Sequence, residues 1–452
     1  MGALGVCVGV GKSLERMVEA EPTQPVRRFA VRPEEGTGMA KTPEELLSER
    51  TKRVRDAYEL RVPDRVPIYL NFGYMLARLG GITYQELERD PEKAQALLEK
   101  YALCFKPDMV AGVGFSPLPS ITLGDRQTKW PGYGLGPDGT FQFVEGEYMK
   151  AEEYDAFLDD PTDFTLRTFL PRVYSALEGL AELPRLTIML MGYPALPNIG
   201  VLDEPVVAAA MDALLETSKQ IAQSRAARKA SAERMEALGF PMSLRRGPYA
   251  TAPFDFLSDT LRGLRGIMLD MYRCPDKLLA AQEKVVPLLV DYAVAVARRT
   301  GGAYCFIPLH RGADGFMSLE QFEVFYWPSL KAMLLGLIEG GVTPHVFYEG
   351  NYDQRLPYLR ELPRGKTIGR FDRTDLFKAK EILGETMCIM AGFPVSLLHG
   401  GTPEQIRALT KEMIEIVGKD GGFIMGASAS MAVADPELVK VWVDATKEYG
   451  VY

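Results

Sequence analysis

The sequence predicts an α/β chain folded as a (β/α)₈ TIM barrel, and three observations lead there. Eight short apolar runs, rich in β-branched and aromatic residues, punctuate the chain. Amphipathic stretches with apolar residues at three-and-four spacing separate most of them. A length of 452 residues is ample for one large core. A doubly wound open sheet is the alternative that the same alternation allows.

The elements follow in order. Residues 1–40 carry mixed charge, prolines and no periodic apolar face, so a flexible N-terminal extension is expected ahead of a single domain at 41–452. Its VCVGVGKS departs from a phosphate loop, because Val6 stands where that motif needs its first glycine and no strand precedes it. No basic residue precedes its apolar part and no convincing cleavage site follows, so a signal peptide is not expected. Thr42-Pro43-Glu44-Glu45 predicts a helix N-cap with proline in the first turn. Strands are expected at 66–72 (VPIYLNF), 108–114 (DMVAGVG), 247–254 (GPYATAPF), 303–309 (AYCFIPL), 342–348 (VTPHVFY), 366–372 (KTIGRFD), 386–391 (TMCIMA) and 421–427 (GGFIMGA). Helices such as 276–299 and 404–417 lie between them. Two excursions interrupt the count: a glycine-punctuated segment at 116–150 that predicts a β-hairpin, and RLTIMLMGYPALPNIG, which precedes a long helix at about 204–238.

Composition narrows the function. With 47% hydrophobic and 25% charged residues and a net charge of -8, the chain reads as globular, and nucleic-acid binding is not expected as its main business. No apolar run reaches the roughly 18 residues of a membrane helix, so no membrane partner is expected. The five cysteines, Cys7, Cys104, Cys274, Cys305 and Cys388, show no CxxC and no framework spacing, which points to a reducing compartment and a cytoplasmic location.

In a barrel, chemistry sits where strands end and loops begin. Those ends supply Asn71, then Asp255 and Asp259, then His310 and Arg311. Glu349, Asn351 and Asp353 follow, then Asp372 and Asp375, and finally His399. Several strands thus deliver carboxylates to one rim. Each taken alone is equally readable as a helix cap or a solvated loop charge. The aromatic neighbours Phe306, Phe316, Phe347, Tyr348 and Tyr352 would shield a buried acid or accept a small aromatic ligand, although core packing explains them as well.

RTKRVRDAYELRVPDRVPI, residues 50–68, and GTPEQIRALTKEMIEIVGKDGGFIMGASASMAVADPELVKVWVDATKEYG, residues 401–450, resemble the opening and closing signatures of the uroporphyrinogen decarboxylase superfamily, which also holds corrinoid and coenzyme M methyltransferases. The resemblance implies a (β/α)₈ barrel with its site in the C-terminal mouth. The decarboxylase residue set does not carry over. Where that family has an arginine-rich segment after its first strand, this chain has NFGYMLARLGG with only Arg78. The family's aspartate after strand two falls near Phe115, its tyrosine after strand three near Asp259, and its serine before the strand-four histidine on Leu309. Nor does the thiolate zinc motif of the methyltransferase branch carry over. Its HxC followed by glycine falls on Phe347, Tyr348, Glu349 and Gly350, and its later cysteine on Ala429; with His345 on the motif's histidine, Phe347 takes the cysteine's place. Coenzyme M activation is therefore not expected.

What remains is His310 and Glu349 on neighbouring strand ends, with Asp372 beside them. This trio would serve as a general acid and its partners, or His310 and Glu349 would ligate a divalent metal such as zinc. Asn71, Asp255, Asp259, Arg311, Tyr348, Asn351 and Asp375 are the expected substrate contacts. The expected activity is a corrinoid-dependent methyl transfer, an O-demethylation in which a small donor such as a methyl ether gives its methyl group to a corrinoid (cobalamin) on a partner corrinoid protein. The alternatives are a decarboxylase of the uroporphyrinogen decarboxylase type and a non-catalytic barrel that binds a tetrapyrrole or corrinoid. The resemblance also implies a possible homodimer. Deleting residues 1–40 is expected to leave the melting temperature nearly unchanged; a large drop in a thermal scan would show that the segment packs on the domain.

Overall fold

The computed structural model describes residues 41–112, 116–242 and 247–452. The expected N-terminal extension, its VCVGVGKS and Phe115 lie outside the described residues. Helix α1, Pro43–Tyr58, opens as its sequence predicts: the Thr42 hydroxyl accepts from the Glu45 N–H, the Glu45 carboxylate accepts from the Thr42 N–H, and Pro43 fills the first turn. Strands β1, Tyr69–Leu70, and β2, Met109–Val110, pair in parallel.

Between β2 and the next long helix the chain makes its excursion. Thr128–Pro131 pairs antiparallel with Gln142–Phe143, the hairpin expected within 116–150, and Gly134–Leu135 adds a third short strand. The long helix follows as α2, Pro205–Ala237.

Five parallel strands then form the main sheet: β3 (Tyr304–Leu309), β4 (Thr343–Tyr348), β5 (Ile368–Phe371), β6 (Cys388–Ala391) and β7 (Phe423–Ile424), in spatial order β7-β6-β5-β4-β3. Helix α3 (Pro275–Thr300) precedes them, α4 (Trp327–Glu339) and α5 (Pro403–Ile416) lie between them, and α6 (Pro436–Tyr449) follows. Parallel neighbours need such crossovers, because a tight turn reverses direction. At the outer edge of β7, the Tyr69 N–H donates to the Met425 carbonyl at 2.8 Å and the Met425 N–H to the Pro67 carbonyl at 2.9 Å. At the edge of β3, the Phe306 N–H donates to Pro248 and the Ala250 N–H to Phe306, each at 3.1 Å. The Val110 N–H on β2 donates to Pro241 at 3.2 Å.

The expected strands at 66–72, 108–114 and 421–427 shorten to Tyr69–Leu70, Met109–Val110 and Phe423–Ile424, and a fourth is reduced further. Residues 247–254 give a single parallel bridge, Tyr249 to Phe306, before Pro253 starts a short helix, Pro253–Asp255. Proline donates nothing to a ladder but is preformed for a helix's first turn, so the apolar run ends early.

Apolar side chains fill both faces of the strands. Tyr348 and Phe371 belong to the cluster shared with the helices, whereas Tyr69, Met109, Ile368, Cys388, Met390 and Ile424 form a second cluster. Beneath the latter lies an ionic clamp. The fully buried Asp108 carboxylate accepts from Arg53 at 2.5 Å, from both terminal nitrogens of Arg65 at 2.7 Å and from the Ile68 N–H at 2.9 Å, tying α1 and the approach to β1 to the start of β2. Among the described residues, no helix is long and apolar enough to cross a membrane.

Replacing Asp108 by Ala leaves the buried Arg53 guanidinium without this partner. A loss of about 3–5 kcal/mol is expected, the usual cost of breaking a buried pair from one side. A urea titration measures it, and an unchanged midpoint would contradict the clamp.

Candidate active site at the carboxyl ends of the strands

Strand register brings the site together. Leu309 pairs with Tyr348, Tyr348 with Phe371 and Phe371 with Ala391, so the carboxyl ends of β3 to β6 finish in one row. The next residues along the first three strands are His310, Glu349 and Asp372. Side chains alternate across a strand. Tyr348 and Phe371 stack on each other at 4.8 Å toward the helices, which sends Glu349 and Asp372 to the opposite face.

His310 is fixed from below by Asp255, a fully buried carboxylate one turn into the helix that Pro253 begins. Asp255 accepts from the His310 N–H at 2.8 Å, from the Arg311 N–H at 3.1 Å and from the Tyr326 hydroxyl at 2.7 Å. Asp259, in the π-helical turn Phe256–Arg262 that continues this helix, accepts from His310 Nδ1 at 2.5 Å. Its other oxygen lies 3.2 Å from Arg311 Nε and 3.0 Å from a terminal guanidinium nitrogen of that arginine, whose Nε also donates to Ser258 at 3.1 Å. On the far side of the ring, His310 Nε2 stands 4.0 Å from Glu349 Oε1. The line Asp259, His310, Glu349 thus runs from a partly buried carboxylate to a more exposed one.

Electrostatics follow from this placement. Burial opposes charge on His310, but the hydrogen bond to Asp259 and the negative charges of Asp255, Asp259 and Glu349 outweigh it, raising the imidazole to about 9. His310 is an imidazolium near neutral pH. Burial pushes the Asp255 carboxyl up, with help from Asp259, while His310, its backbone N–H and Tyr326 pull it back to about 6. Burial also raises Glu349, against the opposing pull of His310 and Arg370.

Glu349 is aimed by a turn that only glycine makes comfortably. Gly350 has φ of +89°, and its N–H donates to Asp372 Oδ2 at 3.2 Å. Asp372 therefore supports the loop that presents Glu349 and adds its own charge nearby. The other expected contacts separate into different roles. Asp375 caps the helix Leu376–Leu383, accepting from Phe377 and Lys378 at 2.9 and 3.2 Å, and Asn351 and Asp353 bond to each other in the loop that leads to it. Tyr348 is buried on the helix side. His399 Nδ1 lies 2.7 Å from the Val433 carbonyl. Asn71 is partly buried after β1, with no hydrogen bond to the His310 group. Phe306 and Phe347 stack inside the strands at 6.4 Å, Phe316 lies under the Arg311 guanidinium, and Tyr352 packs on Tyr348.

Strand-end scanning misses Arg370. It lies two residues before Asp372 on the same face of β5, 4.2 Å from the centre of the Phe347 ring and 5.8 Å from that of Tyr69. The signal available in TIGRFD is a cation at the inward register of an apolar strand.

The donor set does not fit a zinc centre. Among the described residues, no three His, Cys, Asp or Glu side chains converge as metal ligands, and one of the two His310 nitrogens is already bonded to Asp259.

Residues 241–449 match the family described as uroporphyrinogen decarboxylase (URO-D). That span belongs to the uroporphyrinogen decarboxylase superfamily. It contains β3 to β7 and every residue of the Asp255, Asp259, His310, Glu349 and Asp372 group. A methyltransferase from Methanosarcina mazei is similar in structure, with a TM-score of 0.56, 16% identity and coverage of 88% of this chain and 98% of that one; at this identity the likeness is one of fold. A B12-independent methionine synthase from Shewanella sp. W3-18-1 overlaps 48% of this chain and 64% of its own, at 11% identity and a TM-score of 0.31, too low to carry an argument. No curated protein matches the chain.

The raised His310 makes a signed prediction. Its ordinary value is about 6.5, so the stability it gains from Asp259 is fully present below about 6.5 and is lost as pH rises through about 9. The difference in melting temperature between the wild-type chain and His310→Asn should therefore shrink from pH 6 to pH 10. A difference constant with pH would show that the ring is not held as a cation.

Proposed function

We propose that the chain is a corrinoid-dependent methyltransferase that takes a methyl group from a small donor such as a methyl ether and delivers it to a corrinoid on a partner protein. The observation that carries the reading is the His310 ring, bonded through Nδ1 to Asp259 and presenting Nε2 toward Glu349. We further propose that the strands close into a (β/α)₈ barrel, supported by the backbone hydrogen bonds at both edges of the five-stranded sheet.

The corrinoid is the second substrate in this scheme and supplies the nucleophilic cobalt. Everything else falls to this chain's own side chains. When the methyl carbon leaves, the bond to the donor's oxygen breaks and oxygen keeps both electrons. An alkoxide or phenolate is a poor leaving group in water, and protonation as the bond breaks removes that penalty. His310 Nε2 holds the proton; Asp259 fixes the ring and stabilises its charge; Glu349, partly exposed, accepts a proton from solvent and returns it to His310. The metal route is not used, since the donor set does not fit it.

The family match favours a second reading, decarboxylation, in which the same acid would protonate the carbanion left by carbon dioxide. The single arginine after β1 speaks against a porphyrin substrate. Arg78 donates to the carbonyls of Ala432 and Ala434 at 2.9 and 3.2 Å and is thus committed to the scaffold.

Incubating the purified protein with cob(I)alamin and a panel of methyl ethers should give the methylcobalamin spectrum with at least one donor. Carbon dioxide release from the corresponding acids, without methylation, would transfer the assignment to the second reading. Glu349→Gln and His310→Ala should each slow methyl transfer by about a hundredfold or more, the scale of general acid catalysis, with little change in fold by circular dichroism. The double variant should be no slower than the poorer single one, because the two groups act as one unit. Full activity in Glu349→Gln would remove that residue from the mechanism.

A further inference from the structure

Arg370 is held where a ligand's negative charge would be welcome. Its side chain is nine-tenths buried, yet among the described residues it has no ion pair and no hydrogen bond, and its Nε is buried without a partner. Buried charges are ordinarily paired, because removing a guanidinium from water costs several kcal/mol. Here the ring of Phe347 at 4.2 Å and that of Tyr69 at 5.8 Å hold the planar group between them. Such a shelf supports the cation's faces and leaves its N–H edge free, the edge that matches a carboxylate in two parallel hydrogen bonds.

A second polar group nearby is also unsatisfied. His345 on β4 is 2% exposed, and both of its ring nitrogens lack a partner. It pairs in register with Ile368, two residues before Arg370, and its ring meets Phe306 edge-on at 5.8 Å. Burial and the charge of Arg370 push this imidazole down to about 3, so it is neutral and can both donate and accept. Two orphaned polar side chains on one face of adjacent strands, lined by Phe306, Phe347 and Tyr69, make a polar floor with aromatic walls beneath the mouth that carries His310 and Glu349.

We propose that the substrate carries a carboxylate, which Arg370 binds in bidentate fashion between Phe347 and Tyr69, while the reacting end points toward His310 and Glu349. This deepens the methyltransferase reading and rests on it for the location of the reacting end, but not for the anion site itself. Glu349 feels the charge of Arg370, yet no ion pair joins the two in this structure. A small aromatic acid bearing a methyl ether fits both ends.

Calorimetric titration of the full chain, without corrinoid, separates the two ideas. 4-Methoxybenzoate and its uncharged amide are the probes, with methoxyacetate as an aliphatic acid. Wild-type protein should bind the benzoate about ten- to a hundredfold more tightly than the amide, the worth of hydrogen bonds to a charged partner. Arg370→Gln should erase that preference; Arg370→Lys should retain part of it, since charge survives and the fork does not. Equal binding of acid and amide to the wild type, absence of binding by either acid, or a preference that persists in Arg370→Gln would each overturn the proposal, and the wild-type comparison stands even if a variant fails to fold. Carboxylate preference without methyl transfer to cob(I)alamin would keep the anion site and reject the methyltransferase reading.

Discussion

The site hangs on one buried carboxylate. Asp255 receives the N–H groups of His310 and Arg311 and the hydroxyl of Tyr326. The Tyr326 hydroxyl, fully buried in front of a helix, would otherwise lack this partner, at roughly 1–3 kcal/mol. Three segments distant in sequence, the turn after Pro253, the end of β3 and the start of α4, are therefore pinned to a single point. The packing leaves no slack. A side chain at Gly312 would begin 2.5 Å from the Tyr326 ring, so the loop after His310 can lie against that ring only as glycine. With the backbone of His310 fixed in this way, Asp259 has only to orient the imidazole. Positioning and protonation are thus divided between two aspartates four residues apart.

The division also explains why both carboxylates can remain in one small volume. Asp259 is shared between His310 and Arg311, and Asp372 has Arg373 at 3.9 Å. The mouth that looks anionic in the sequence is nearly balanced in the structure, and charge separation rather than net charge defines it. Sequence reasoning counts the carboxylates because they stand at strand ends in polar loops. The cations that pair with them come from less conspicuous places, Arg311 in a loop that also holds glycines and Arg373 just after the strand.

Much of the fold was legible for a simple reason. Strands β3, β4, β5 and β6 begin and end within about two residues of the apolar runs that announce them, because parallel strands buried on both faces need continuous β-branched or aromatic stretches. The run at 247–254 misled, since Tyr-Ala-Thr-Ala reads as strand while Pro253 decides for helix. Strand ends alone point to His310, Glu349 and Asp259, which the structure brings side by side. Asp375 and Tyr348 looked similar by that criterion and serve elsewhere, one as a helix cap and the other as helix-side packing. An N-cap aspartate and one that faces a shared cluster have the same sequence environment, a polar residue just past a strand. Only the register, which fixes the facing of every second residue, tells Tyr348 from Glu349.

The 4.0 Å between His310 Nε2 and Glu349 Oε1 is the geometric hinge of the functional argument. It is too long for a hydrogen bond, and close enough that an oxygen placed between and slightly above the two groups reaches both. A tight His–Glu pair would satisfy itself and lose its readiness to give up a proton. Held apart, the imidazolium keeps one N–H without a partner among the described residues, while Asp259 behind it supplies the stabilisation that keeps it charged. Arg311 draws on the same aspartate, which limits how tightly Asp259 can hold the ring's proton. The architecture therefore stores a proton on the side of His310 that faces the mouth, and the oxygen best placed to take it is one that a ligand brings.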